Sequence, residues 1–385
     1  MKKIYKLYIG VLLSVIAVSC TDSLDSDKYF TDRRSLEDVF TDKTYTEEWL
    51  VHAYSFLGGN NMEVSTRDNI LWNFADDIYF GGNSLGDYKK FKTGTYDENW
   101  YQSWGASYKG IRQASIFIEN IDMNTKFTEE ERADLKAQAR FVRAYYYWLL
   151  LRRYGPVPLL PDEGLDYTSS YDDLAVQRNS YDECVEYIVR LCEEAAGGLP
   201  LRYPDNDYGR LTKGAALGLK AKVLLYAASP LFNENPIAGT TEIQRYASPD
   251  DRRWERAAKA ALDVINLRMP NGAPAYELFP SYERLFFTRE GNHEFLIARM
   301  QGMTNNVEKR NGPAGYSGAT GNTSLTQEFI DMFELKNGKL PKEDPEYDPQ
   351  KPWENRCERF KASVLYNGSY WWDREVETFV GGKDY

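Results

Sequence analysis

From Thr128 to Pro156 the chain reads TEEERADLKAQARFVRAYYYWLLLRRYGP. Thr128 with Glu131 three residues on forms a capping box, and the acidic residues 129–131 suit the positive end of a helix dipole. Leu135, Ala139, Val142, Tyr146 and Leu149 recur at steps of four and three, which predicts one apolar stripe on a helix. Gly155 and Pro156 stop it.

The same grammar extends outward. Ser180 with Glu183 opens a helix with the stripe Cys184, Ile188, Leu191 and Ala195, ending at Gly197-Gly198. A third helix starts at Thr212 and runs to Pro230. A fourth, Trp254 to Leu267, places Ala257, Ala261, Val264 and Ile265 on one face, with Trp254 as a core residue, and an earlier one lies near 104–121. Small residues mark close approaches, and the starts near 181 and 213 are about one tetratricopeptide period of roughly 34 residues apart. The reading is mainly α: helical hairpins stacked into a curved scaffold. From about 270 prolines and glycines break the pattern. The stretch 311–323 is a glycine-rich loop, followed by a short helix with Ser324 and Gln327 as its capping box.

At the other end, Lys2, Lys3 and Lys6 precede an apolar run from Leu7 to Val18. It falls short of the roughly 20 residues that span a bilayer, so it reads as a secretory signal. Cys20 directly follows small residues, as in a bacterial lipobox. The expected divisions are a signal peptide 1–19, a lipidated tether 20–35 and one domain 36–385, with a hairpin core to about 290 and a loop-rich part from about 291. The 385 residues include 47 Lys+Arg against 58 Asp+Glu, a net charge of -11. That balance, with no long basic run, excludes nucleic-acid wrapping. Cys184 and Cys192, about 12 Å apart along a helix, are too distant to bridge and read, with Cys357, as buried small hydrophobes.

Catalytic patterns are missing. There is no HExxH, CxxC or GxSxG, and the two histidines, His52 and His293, stand in unrelated contexts. Adjacent carboxylates such as Asp76-Asp77 point apart. No cofactor is expected; calcium at Asp344, Glu346 and Asp348 would lack the EF-hand pattern, and a solvated loop accounts for these residues.

Four ordered strings carry a resemblance: residues 140–159, 211–233, 324–338 and 355–368. With Cys20 they resemble the SusD/RagB family of outer-membrane nutrient-binding lipoproteins. Cys357-Glu358 departs from the family's Asp-Pro at that place, which would loosen a turn. The resemblance implies a tetratricopeptide-like scaffold with a loop-rich, irregular ligand face and a glycan or oligosaccharide ligand. It also implies a SusC-like TonB-dependent transporter as partner, over which the lipoprotein acts as a lid at the cell surface, and no catalysis. Family members run longer, so the chain reads as C-terminally truncated, with 340–385 poorly ordered or exposing apolar surface.

Sugars present an apolar ring face and a rim of hydroxyls, which suits aromatic rings and polar side chains on loops. Helical aromatics such as Tyr145–Trp148, Trp104 and Tyr108 are assigned to packing. The loop candidates are Trp72, Asp77, Tyr79, Asn83, Tyr96, Trp100, Tyr316, Trp371 and Trp372, the last two read as one in, one out on a strand. Competing readings are a surface glycoside hydrolase, a purely protein-binding helical scaffold and a non-functional truncated family member.

Overall fold

The computed structural model describes residues 34–56, 75–80, 90–97 except 92, 102–298 and 308–385, apart from 163–164, 166–167, 169, 235–236, 242, 310–311 and 322. Cys20, Trp72, Asn83, Trp100 and the segment 1–33 lie outside the described residues. Among the described residues, helices of five residues or more before the loop-rich part are α1 Leu36–Phe40, α2 Lys43–Ser55, α3 Trp104–Asn120, α4 Glu129–Tyr154, α5 Tyr181–Gly198, α6 Lys213–Ala228 and α7 Arg252–Ile265, with single turns at Tyr171–Leu174 and Pro230–Asn233. Both capping boxes form, at Thr128–Glu131 and Ser180–Glu183, and Thr212 caps α6. From α2 to α7 each helix packs against the next.

The helix α4 exceeds its expected stripe. Every residue from 137 to 151 is buried except Arg140, because α3 and α5 cover opposite sides while α2 and α6 also reach it. Burial of each large apolar side chain here contributes about 1.5–3 kcal/mol. Close approach needs missing side chains: a Cβ on Gly110 of α3 would stand 2.2 Å from the Tyr146 ring, and one on Gly198 of α5 would stand 2.8 Å from Ala137 Cβ.

Arg143 is fully buried in α4. Its guanidinium donates to Ser115 Oγ at 2.7 Å and to the backbone carbonyls of Leu160, Pro161 and Asp162 at 2.6–2.7 Å. The Asp162 carboxylate lies 3.6 Å away. Burial pushes the Asp162 carboxyl up, but the Tyr187 hydroxyl and the Arg143 and Arg190 guanidiniums outweigh it and hold the group below its ordinary value. Cys184 and Cys192 are buried and unbridged, and burial raises the Cys184 thiol to about 11.

On α7 the expected face is corrected. Ala257 is buried together with Ala260, whereas Ala261 is exposed and Leu262, Ile265 and Trp254 are 52%, 61% and 42% exposed. The buried positions 257 and 260 and the half-buried Val264 lie on the side of α6, which packs extensively on α7, whereas Trp254 is exposed and so is not a core residue. The last of the long helices among the described residues ends at Ile265.

The remaining elements are short: strand β1 Ile78–Phe80, between α2 and α3, and, beyond α7, strand β2 Thr323–Leu325, helices α8 Gln327–Asp331 and α9 Glu358–Ser363, and strands β3 Tyr370–Trp371 and β4 Arg374–Glu375. The cap of α8 is Thr326, not Ser324: Ser324 is in β2, and Thr326 Oγ1 accepts from Phe329 N. At α9 the N-cap position is Cys357, whose side chain makes no capping bond. Residues 340–385 combine turns with α9 and the β3–β4 hairpin, and they leave Phe379, Val380 and Tyr385 exposed.

Candidate functional site

Strand β1 pairs antiparallel with β2, Tyr79 opposite Ser324, and Thr326 Oγ1 donates to the Asp76 carbonyl. The pairing carries the 75–80 segment to the strand that follows the glycine-rich loop. Tyr79 is 61% exposed. Asp77 Oδ1 is shielded and accepts no hydrogen bond, so it is an acceptor in search of a donor. Tyr96 is also exposed, and its ring stacks on Phe91 at 6.3 Å.

The C-terminal hairpin forms the second cluster. Strands β3 and β4 pair Tyr370 with Glu375 and Trp371 with Arg374, leaving a two-residue turn, Trp372-Asp373. Trp372 has φ +54, the left-handed region that glycine favours and that costs a bulky residue of order 1–3 kcal/mol. Its ring is 59% exposed and lies at 14° to the Trp371 ring, centroids 5.9 Å apart. The one-in, one-out alternation expected for Trp371 and Trp372 therefore fails: the left-handed turn ends the strand at Trp371 and brings the two rings parallel.

Tyr316 is the support of this hairpin. It is only 7% exposed, its hydroxyl donates to the carbonyls of Trp371 and Arg374 at 2.8 and 3.1 Å, and its ring meets Trp372 edge-on at 6.1 Å. The expectation of Tyr316 as a loop ring open to ligand is corrected, because the hairpin folds over it. Arg374 and Asp384 complete the clamp and were missed in the sequence. The guanidinium sits 3.9 Å from the Tyr316 centroid and grips the buried Asp384 carboxylate at 2.6 and 2.8 Å. Asp384 also accepts from Gly315 N, and a Cβ on Gly315 would meet the Lys383 carbonyl at 2.1 Å. The available signal was a lone Arg after the Trp pair, but its partner ten residues on is invisible to local patterns.

No cluster of three or more His, Cys, Asp or Glu among the described residues is placed to hold a metal. Asp344 and Asp348 accept backbone N–H groups of their own turns. The site offers exposed rings beside polar acceptors, a surface for binding an amphipathic ring.

A family model described as "Starch-binding associating with outer membrane" matches residues 31–225, and the SusD family model matches 289–384. The chain belongs to the SusD family. A SusD-like protein of Formosa agariphila is 25% identical over 237 residues, 57% of this chain and 43% of that protein. Among solved structures, a SusD-like protein from Bacteroides fragilis superposes with a TM-score of 0.65 at 23% identity, covering 86% of this chain and 62% of the other. A SusD-like carbohydrate binding protein from the same species gives 0.65 at 20% identity, covering 88% and 62%. The chain thus spans less than two thirds of the length of each. These SusD-like structures share the tetratricopeptide-like helical architecture seen in α2–α7.

Proposed function

We propose that this SusD family member is a cell-surface glycan-binding lipoprotein, anchored in the outer membrane through Cys20, that passes saccharide to a SusC-like TonB-dependent transporter as its lid and catalyses no reaction. The observation that carries the binding role is Trp372: a large apolar ring held exposed, in a backbone conformation that disfavours it, above a built support. Strain retained at such a position is a mark of function rather than of folding. Tyr370, 69% exposed, extends the platform, and Tyr79 with Asp77 supplies a ring and an acceptor on the other cluster. The family model's wording supports the ligand class and the membrane setting, as does the carbohydrate-binding relative. No helix among the described residues is long and apolar enough to cross a membrane; the proposed attachment is through lipid on Cys20.

A glycan array on the form lacking residues 1–20, followed by calorimetry, tests this. Trp372→Ala should lower affinity for the selected glycan at least tenfold without loss of fold. Unchanged affinity would remove the hairpin from the site, and turnover of the glycan would return the hydrolase reading.

A further inference from the structure

Between the α5–α6 connection and the segment 276–298 lies a cleft of about 590 Å³, inside the range of about 300–1,000 Å³ usual for small-ligand pockets. None of the residues expected to bind ligand lines it. Its inner wall is fixed: the Tyr276 hydroxyl shares a 2.8 Å hydrogen bond with Thr212, and the ring lies where a Cβ on Gly214 would be 2.2 Å away. Towards the rim, Phe295 contacts the exposed Phe286 at 5.9 Å.

The polar wall has a definite composition. Arg210 is taken by Asp207 at 2.9 Å. Arg289 lies 4.7 Å from the Tyr208 centroid and donates to the Asp205 backbone carbonyl, which orients its guanidinium. Arg202 donates to the Ala275 carbonyl. Among the described residues neither Arg202 nor Arg289 has a carboxylate partner, and the carboxylates of Asp205 and Glu290 are likewise unengaged. Two donor-only cations and two acceptor-only anions therefore face one cleft with no net charge. A sugar hydroxyl both donates and accepts, so a ring bearing several hydroxyls satisfies both kinds of group while its apolar face meets Tyr208 and Phe295.

We infer that this cleft is a second saccharide subsite, selective for a neutral sugar and separate from the Trp372 hairpin. The ligand class rests on the glycan-binding reading above; the location does not. Calorimetry of the chain lacking residues 1–20 with maltoheptaose, cellohexaose and laminarihexaose, on wild type, Trp372→Ala, Arg289→Gln and Tyr208→Ala/Arg289→Gln, separates the two. The expected result is two sites for at least one oligosaccharide, one weakened at least tenfold by either cleft variant and unmoved by Trp372→Ala, with less than a twofold change between 50 and 500 mM salt. Because Arg289 is exposed, its single substitution should leave the fold intact despite the lost contacts with Tyr208 and the Asp205 carbonyl, and an unchanged melting temperature checks this. Binding lost with Trp372→Ala alone and unchanged by the cleft variants overturns this subsite and leaves the hairpin reading standing. Loss with the cleft variants alone supports the subsite and removes the hairpin. No binding by wild type overturns both.

Discussion

Arg143 brings only donors to a segment rich in acceptors. Pro156, Pro158 and Pro161 contribute no N–H, and three successive carbonyls from Leu160 to Asp162 turn inward to the guanidinium. Replacing Arg143 with Met would leave those carbonyls and Asp162 without their partner, at about 3–5 kcal/mol by analogy with broken buried pairs; urea denaturation measures it, and a loss under 1 kcal/mol would contradict the account. The arginine itself was legible in the sequence, but its partners lie 17–19 residues away beyond the helix end, past the reach of any helical period. Trp372 poses the opposite case, since strain cannot be read from residue type. Trp372→Gly relieves the left-handed backbone but forfeits ring contacts with Trp371 and Tyr316, so stability should stay within about 1 kcal/mol of wild type while glycan affinity collapses. A stability loss above about 3 kcal/mol would show that the ring is there for packing.

Among the elements, α9 and the hairpin carry the sharpest expectations. Cys357 occupies a cap position without capping, so Cys357→Asp should stabilise the chain by about 0.5–2 kcal/mol, read as a higher urea midpoint with unchanged slope. The hairpin clamp is pH-dependent. Arg374 chiefly, with the Glu377 and Gly315 amides, holds the Asp384 carboxyl down to about 2, below the unfolded value of about 3.9. The stabilisation is therefore fully present above about pH 4 and lost as pH falls through about 2. Near-ultraviolet circular dichroism should report the tryptophans loosening in that window, and Asp384→Asn should abolish the transition; an identical transition in the variant would assign it elsewhere. Helix existence and caps at 128, 180 and 212 were readable because caps and periodicity are local. The cap of α8 was misplaced by two residues because Ser324 and Thr326 offer the same chemistry, and only pairing with β1 withdraws Ser324 into a strand.

For the molecule as a whole, stacked helices were legible and the sidedness of the last one was not. Residues of α7 spaced 257, 260, 264 and 254, 261, 265 both satisfy a helical period, and only the position of α6 selects the first. The unselected stripe of Trp254, Leu262 and Ile265 is a contiguous apolar patch of the sort that binds hydrophobic dyes or partners. The double change Leu262→Glu/Ile265→Glu should cut anilinonaphthalene sulfonate fluorescence by about half while the melting temperature holds; undiminished dye binding would place the dominant patch elsewhere, at Phe286-Phe287 for instance. The two halves also differ in how they come into being. Each long helix meets its sequence neighbour, so the scaffold can assemble locally, in the order in which the chain emerges. The β1–β2 pairing instead joins positions about 250 residues apart and closes a long loop at an entropic cost. The order expected from these separations is scaffold first and β1–β2 pairing, which delivers Tyr79 to its place, afterwards: the chain acquires its shape before this part of its grip.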